Sequence, residues 1–431
     1  MTRTITIDHL ARVEGHGGIK VVLDGDQVST VQLDVFEGIR LLEGLVRGRS
    51  LEDVTGIVSR ICAICSHGHS ITSLQALEDA LEVAVTPQTR KLRDLAYHGA
   101  NIESHALHVF VLALPDLLGH PSVISLAGVN PDAVAMALRL KKLGNTIQEV
   151  IGGRAVHPVN YVIGGFGKVP STDDLLTLKK ELSARLTDCE RTLEVLRGIK
   201  VPDIVCEPIR CAALVPEDEA FFFGNCIELS DGGANKTIPV REYRTLTNEY
   251  LVPHSHAKRS ANDHRSYMVG ALARLTISGD RIGGMARRAW EELRLTLPAT
   301  NILMNNIAQA VEMIYSVERA LHLVADLLET GIAPESPLPY RVRACHGTAA
   351  TEVPRGILFY SYELDSEGRV AAADVITPTA QNLNHIEDQM RAAVRQGVEA
   401  GVSDLMLEQR LAMIARAYDP CISCSVHLFR S

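Results

Sequence analysis

Four cysteines, arranged as Cys62-Ala63-Ile64-Cys65 and Cys421-Ile422-Ser423-Cys424, carry the clearest chemistry in this chain, and His427 follows the second pair by three residues. A two-residue gap lets both sulfurs of a pair turn toward one point, and two such pairs can surround one metal centre with four thiolates. In a zinc ribbon the second pair follows the first by roughly 15 to 20 residues. Here almost the whole of a 431-residue protein lies between them. The fold itself must bring the pairs together, which places the site in the core. The residues alone leave three readings open: a structural four-thiolate zinc site, a redox dithiol, and a catalytic metal centre.

The elements that must position these sulfurs show in the hydrophobic pattern. Met1 to Asp8 alternates as a strand does; Ile19 to Leu23 is a short apolar run, Asp24-Gly25-Asp26 turns the chain, and Val28 to Val35 alternates again. Helical patterning follows at Ile39 to Arg47, His69 to Val83, Pro87 to Leu118 and Asp132 to Lys142. Ser171-Thr172-Asp173-Asp174 reads as the N-terminal cap of a long helix reaching about Arg197. Val201 to Asn235 has no clear period. Thr296 to Thr330 reads as helix, begun or interrupted at Pro298. Val353 to Leu364 reads as one strand, Ser366-Glu367-Gly368 as a hairpin turn and Arg369 to Ile376 as its partner strand. Asn384 to Gln396 and Val402 to Tyr418 form the last helices, with Gly397 and Gly401 in the break. The expected fold is α+β, predominantly α-helical with small peripheral antiparallel sheets. No repeat or linker marks a boundary, so 1–431 is expected to be one intertwined domain, with an N-terminal sheet over 1–37 and a helical core whose metal site is formed by 60–69 and 419–427.

Composition excludes several function classes. Hydrophobic residues make up 46% and charged residues 22%, the balance of an ordinary globular chain. Aromatic residues are 4%, there is one Trp, and the net charge is −9, so nucleic-acid binding is unsupported. The most apolar run, His108 to Leu118, is short and broken by Pro115 and Asp116, and no integral membrane span is expected. Nine cysteines at low density and no secretory pattern at the N-terminus point to a reducing, cytoplasmic setting. Cys189, Cys206, Cys211, Cys226 and Cys345 lack metal spacing and are expected to be buried apolar residues.

Further motifs surround the cysteines. Arg60 precedes the first pair and Ser66-His67-Gly68-His69 follows it; Asp419-Pro420 precedes the second pair and Ser425-Val426-His427 follows it. With Arg12-Val13-Glu14-Gly15-His16, Gly153-Arg154-Ala155-Val156-His157-Pro158, Gly164-Gly165-Phe166, Gly270-Ala271-Leu272-Ala273-Arg274, Glu352-Val353-Pro354-Arg355-Gly356 and Thr377-Pro378-Thr379-Ala380-Gln381-Asn382, these segments resemble, in order, the signatures of the large subunit of nickel-iron hydrogenases. The resemblance runs along nearly the whole chain. It is strongest for the cytoplasmic, cofactor-coupled branch, judged by the length and by Ala63, Val353 and Gln381.

The resemblance implies a catalytic subunit for reversible heterolytic cleavage of H2. Cys62 and Cys421 would be terminal nickel ligands, and Cys65 and Cys424 would bridge nickel to an iron carrying carbon monoxide and two cyanides. Soft thiolates suit both metals. Cys421 would take the proton and Glu14 would pass it on. Arg355 would lie over the open side of the metal pair, with Thr379 and the backbone near Pro354 around the cyanides, and His69 would hydrogen-bond a bridging sulfur. Glu43, the Leu383 carbonyl and His427 would hold magnesium. The chain has no further cysteine set for an electron relay, so an iron-sulfur small subunit is implied, with diaphorase-like subunits carrying flavin and passing electrons to a soluble carrier such as NAD(P). Only Leu428 to Ser431 follows His427, where the family's precursors carry an extension that a maturation protease removes with the help of a chaperone. A regulatory H2 sensor and a quinone-site homologue of a respiratory complex are the alternatives; the latter is not expected to keep all four sulfurs.

Overall fold

The computed structural model describes residues 2–39, 41–205, 207–232 and 235–426. Its first element is the expected antiparallel sheet, Thr2–Ile7, Gly17–Asp24 and Gln27–Val35 in that order, with Gly25-Asp26 as the turn. Val21, Leu23, Val31 and Leu33 point into the core, so the period of two in the sequence is the period of burial.

A helical body carries the rest of the load. Helices Pro87–Leu107, Pro131–Gly152, Thr172–Arg197 and Met304–Thr330 pack along one another. Local chemistry sets their starts: Thr86 and Asn130 side chains accept from Thr89 and Ala133 N–H groups ahead of Pro87 and Pro131 at the first helical position, and Ser171 with Asp174 closes a reciprocal capping box. The Pro87 and Pro131 helices cross at glycines. A Cβ on Gly144 would lie 2.5 Å from the Gly99 carbonyl oxygen and 2.6 Å from the Glu103 nitrogen, both backbone atoms that cannot rotate away.

Where the pattern suggested one helix from Pro87 to Leu118, the chain widens into a π-helical stretch, His108–Ala113, before a last turn at Leu114–Leu117. Pro115 has no N–H for the preceding turn and its ring would collide with it, and the wider spacing resolves both. The Leu112 carbonyl is left to accept from Arg12 at 2.8 Å. The Ile39–Arg47 pattern shortens to Leu42–Val46, while the Asp132–Lys142 pattern continues to Gly152. The last long helices begin at Met304 and Pro378, the latter earlier than Asn384, because Thr377-Pro378 is itself a helix entry. The unassigned stretch from Val201 supplies two strands, Cys211–Val215 and Cys226–Ser230, of a sheet completed by Asn235–Pro239.

The strand expected over Val353 to Leu364 starts at Gly356, and Val353 instead ends an earlier strand that the sequence pattern did not show. Cys345–Val353 and Gly356–Leu364 pair across a two-residue turn, Pro354-Arg355, and Val370–Ile376 adds the third strand. Proline supplies the fixed φ of the turn and Gly356, at φ +134°, the conformation that a side chain would forbid. This sheet is internal rather than peripheral: its middle strand is buried on both faces, packed against helix Ser66–Leu81, which explains its continuous apolar run. Most buried apolar residues from Ile5 to Val426 join in one large core, and a second, smaller cluster gathers Leu214, Ile227, Leu229, Tyr267 and Phe359.

Two expectations follow. Gly144→Ala should lower unfolding free energy by about 2 kcal/mol or more, measured by urea denaturation, because the added methyl meets backbone. Stability should also fall in mild acid. His385 is buried beside the Tyr418 hydroxyl, 2.5 Å away, and burial pushes its pKa down to about 4. The unfolded chain takes up that proton near the ordinary pKa of about 6.5. The contribution is therefore complete above that value and lost as pH falls toward 4. A His385→Gln variant should show a shallower decline of urea midpoint across that window.

Candidate metal centre

The two cysteine pairs meet. Cys62 lies just past helix Leu51–Val58, and Cys65 is the residue before helix Ser66–Leu81, its N–H pointing to the Cys62 sulfur at 3.4 Å. Cys421 and Cys424 frame the single turn Ile422–Ser425. Cys62 and Cys421 sulfurs are 3.3 Å apart, Cys421 and Cys424 sulfurs 2.6 Å, and these three lie within metal-sharing distance of one another. Cys65 interacts with all three. All four are buried. Hydrogen bonds from Cys421 and the other two sulfurs hold the Cys65 thiol well below its usual range, whereas burial pushes Cys421 and Cys424 up. One site cannot ionise four thiols on its own. A soft cation or cation pair would let all four become thiolates, so the donor set fits nickel and iron.

Arg355 is not a surface residue. It is 4% exposed, and its Nη1 donates to the Cys65 sulfur at 3.2 Å while Nε and Nη2 donate to the Asp419 carbonyl and carboxylate at 2.6 and 2.9 Å. Asp419 has positive φ and also receives Gln309 Nε2 at 3.3 Å. The Gln309 carbonyl oxygen in turn faces the His108 ring. Arg274 fixes the turn from behind. It donates to both oxygens of Glu312 at 2.8 and 2.7 Å, to Glu352 at 2.8 Å, and to the carbonyls of Val353 and Pro354 at 3.0 Å each. The Pro354 carbonyl thus belongs to the support of Arg355. Arg274 stands in a sequence motif without an assigned role; as the one charge in helix Ala271–Ser278 it is conspicuous in sequence, but its partners are not.

Glu14 reaches the second pair through Ser423. Its carboxylate accepts the Ser423 N–H at 3.0 Å and the Ser423 hydroxyl at 2.5 Å, and that hydroxyl lies 4.0 Å from the Cys421 sulfur. The Glu14 carbonyl accepts from Ile422 at 3.0 Å, so the N-terminal segment is bridged to the Cys421 turn through backbone. Arg12 is held elsewhere: it pairs with Asp116, which also receives Arg416 at 2.6 and 3.0 Å. The Thr379 hydroxyl accepts the Cys421 N–H at 3.0 Å. His69 Nε2 faces the Cys424 sulfur at 4.0 Å while its Nδ1 meets the Tyr360 hydroxyl at 2.7 Å. Ser423 and Tyr360 carried no positional signal in the sequence.

Glu43 is buried and its Oε1 accepts from Lys258 Nζ at 2.8 Å and Val375 N–H at 3.0 Å. Lys258 also pairs with Glu249 at 2.9 Å, and the other Glu249 oxygen is buried with no hydrogen-bond partner among the described residues. Burial raises both carboxyls, Glu249 to about 7. Two buried carboxylates, one with an orphaned oxygen, fit a hard divalent cation beside the ammonium. Leu383 is buried in helix Pro378–Glu399, and His427 lies outside the described residues. Of the other cysteines, Cys189 and Cys211 are buried as expected, Cys226 and Cys345 only half-buried, and Cys206 lies outside the described residues.

A dry four-thiol cluster capped by a buried guanidinium, on helices with an internal hairpin, defines a redox metalloprotein core. Residues 40–135 match the family model described as nickel-dependent hydrogenase, and residues 4–37 one described as HoxL-like. The chain is 38% identical to sulfhydrogenase 1 subunit alpha of Pyrococcus furiosus, over 99% of this chain and 98% of that one. It is 27% identical to the NAD-reducing hydrogenase HoxS subunit beta of Cupriavidus necator, over 99% and 95%. A crystal structure of NAD+-reducing nickel-iron hydrogenase in the H2-reduced state superposes with a TM-score of 0.88 at 26% identity, covering 99% of both chains. The chain belongs to the nickel-dependent hydrogenase family, as a large subunit.

Arg274→Lys keeps the charge but loses the fork that grips two carboxylates and two carbonyls. It should cost about 3 kcal/mol of stability and reduce H2 uptake at matched nickel content, read by calorimetry and by a hydrogen electrode.

Proposed function

We propose that this large subunit cleaves H2 heterolytically and reversibly at its four cysteines, in a cytoplasmic multi-subunit enzyme. The observation that carries the reading is the convergence of Cys62, Cys65, Cys421 and Cys424 under Arg355. Cys62 and Cys421 would be terminal on nickel, and Cys65 and Cys424 shared with an iron bearing carbon monoxide and cyanide. Such a centre, when bound, supplies the site that polarises H2 and accepts its electrons.

The chain's own groups do the rest. Arg355, fixed on Asp419, holds positive charge against the open side of the sulfurs. His69, oriented by Tyr360, directs a ring nitrogen at Cys424. Thr379 pins the Cys421 backbone. Cys421 is the proton acceptor and Glu14 the next carrier, with the Ser423 hydroxyl between them as a donor and acceptor in line. Glu43, the Leu383 carbonyl and His427 would hold magnesium; Glu249 offers a further oxygen, and the Lys258 ammonium, itself a cation, fixes both carboxylates rather than joining the shell.

Electrons need partners. Among the described residues no second cysteine cluster exists for a relay, which supports an iron-sulfur small subunit, then flavin-bearing diaphorase-like subunits and a soluble acceptor such as NAD(P). The relatives include NAD-reducing hydrogenases, which supports that acceptor class. No described helix is long and apolar enough to cross a membrane. A maturation chaperone and protease would act at the C-terminal end.

Purified complex should contain stoichiometric nickel and iron and show infrared bands of carbonyl and cyanide. Zinc in place of nickel, or a spectrum without those bands, would sink the proposal. Glu14→Gln should slow H2/D+ exchange roughly a hundredfold or more; unchanged exchange would remove Glu14 from the proton route.

A further inference from the structure

Helices Pro87–Leu107 and Met304–Thr330 run antiparallel with a polar seam where an apolar one is the rule. Asp94, His98, Asn101, His105 and His108 follow one another at four- and three-residue steps, one face of the helix and its π-helical extension. Arg319, Tyr315, Ser316, Glu312 and Gln309 answer them in reverse order. Arg319 lies 4.0 Å from Asp94, the Tyr315 ring 5.8 Å from that of His98, Ser316 Oγ 2.9 Å from Asn101 and Glu312 3.0 Å from His105; Gln309 bonds His108.

The seam is dry of protein partners where it should not be. Asp94 Oδ1 and His98 Nε2 face each other at 3.4 Å, and His98 Nδ1, Asn101 Oδ1, the Ser104 hydroxyl, His105 Nδ1 and Arg319 Nε are buried without a hydrogen bond among the described residues. Each such atom costs about 1 to 3 kcal/mol if left unpaired. They recur at every turn, a step of about 5.4 Å, which is the span of one water accepting and donating at about 2.8 Å on each side. The set mixes donors with acceptors, which suits water and suits neither an anion nor a cation.

The seam also has two ends. Outward, Arg319 pairs at 2.9 Å with Glu219, whose side chain is 79% exposed. Inward, His105 meets Glu312 with one ring nitrogen and leaves Nδ1 without a partner among the described residues, within electrostatic reach of Asp419, the carboxylate that holds Arg355; Gln309 and Arg274 frame this end but pass no proton. From Asp94 to His108 the rise is about 21 Å.

We propose that this seam binds a file of water that carries protons between solvent at Glu219 and the surroundings of Arg355, a route separate from Glu14. It rests on the hydrogenase reading, which makes protons at the metal side. Each step breaks one O–H or N–H bond and forms another along a hydrogen bond that bound water makes with a seam atom or with the next water. His98 accepts at one ring nitrogen and releases from the other, so nothing is oxidised or reduced.

The test uses the holoenzyme. A high-resolution crystal structure should show waters bonded to His98 and Asn101. His98→Leu, compared with wild type in preparations matched for nickel content, should lower the D2-to-HD ratio in H2/D2O exchange several-fold, and His98→Gln, which still binds water, should restore much of it. If His98→Leu does not accumulate, Asn101→Leu takes its place. A seam without water overturns the proposal, as does an unchanged ratio in a nickel-replete leucine variant, which would leave Glu14 as the exit. Missing nickel or infrared bands in wild type would instead strike the hydrogenase reading, leaving the crystallographic result to stand or fall by itself.

Discussion

Four thiols in one buried site cannot all lose their protons unless positive charge is brought to them, and the rest of this structure is arranged around that constraint. Burial raises Cys421 and Cys424 while sulfur contacts lower Cys65, the signature of charge that has nowhere to spread. Arg355 supplies the guanidinium that donates to a sulfur of this cluster, and Asp419 balances and aims it. A metal pair would complete the neutralisation, and its affinity would depend on how well the chain has already fixed the four donors.

Fixing them is expensive. Arg274, Glu312 and Glu352 are taken from water entirely, at a desolvation cost that paired charges seldom recover in full. What they gain is geometry: the Val353 and Pro354 carbonyls are gripped from inside, so the hairpin turn can present Arg355 at a single height above the cysteines. An apolar core would be as stable and would leave that turn free to tilt. The same trade recurs at Glu14, where a backbone bridge and two hydrogen bonds to Ser423 tie the N-terminal segment to the cysteine turn.

Much of this was legible before the fold was known, and what was missed has a common cause. Strong local signals survived: the Ser171 cap, the Gly17–Val35 hairpin and the helix Asp404–Ala417 lie close to where patterning put them, whereas the helix before it starts six residues early and takes in Gly397. The cysteine spacing foretold a site that joins both ends. Pro354-Arg355-Gly356 misled because a two-residue turn inside a continuous apolar run looks like one buried strand. Pro115 misled in the other direction, since a π-helical stretch lets the chain absorb a proline without ending. Arg274, Glu312, Lys258 and Ser423 gain their meaning only from residues far away in sequence, and no period or motif of one segment reports that.

The distance between the partners has a thermodynamic consequence. Ile422 bonds to Glu14, Thr379 to Cys421 and Lys258 to Ser425, so the last described turn is seated against three remote segments at once. Closing so large a loop costs entropy that grows only slowly with length but is recovered only when all three contacts form together. Gly15 shows how little slack is left: a Cβ there would lie 2.8 Å from the Ile422 side chain and 3.0 Å from the Ser423 nitrogen. A metal ion held by both pairs binds only the seated form, so its binding energy adds to the closure of the fold. The unseated form offers Cys62 and Cys65 alone. Metal retention and the seating of the C-terminal turn are therefore one equilibrium, and the contacts of Glu14 with Ile422 and Ser423 weigh on both.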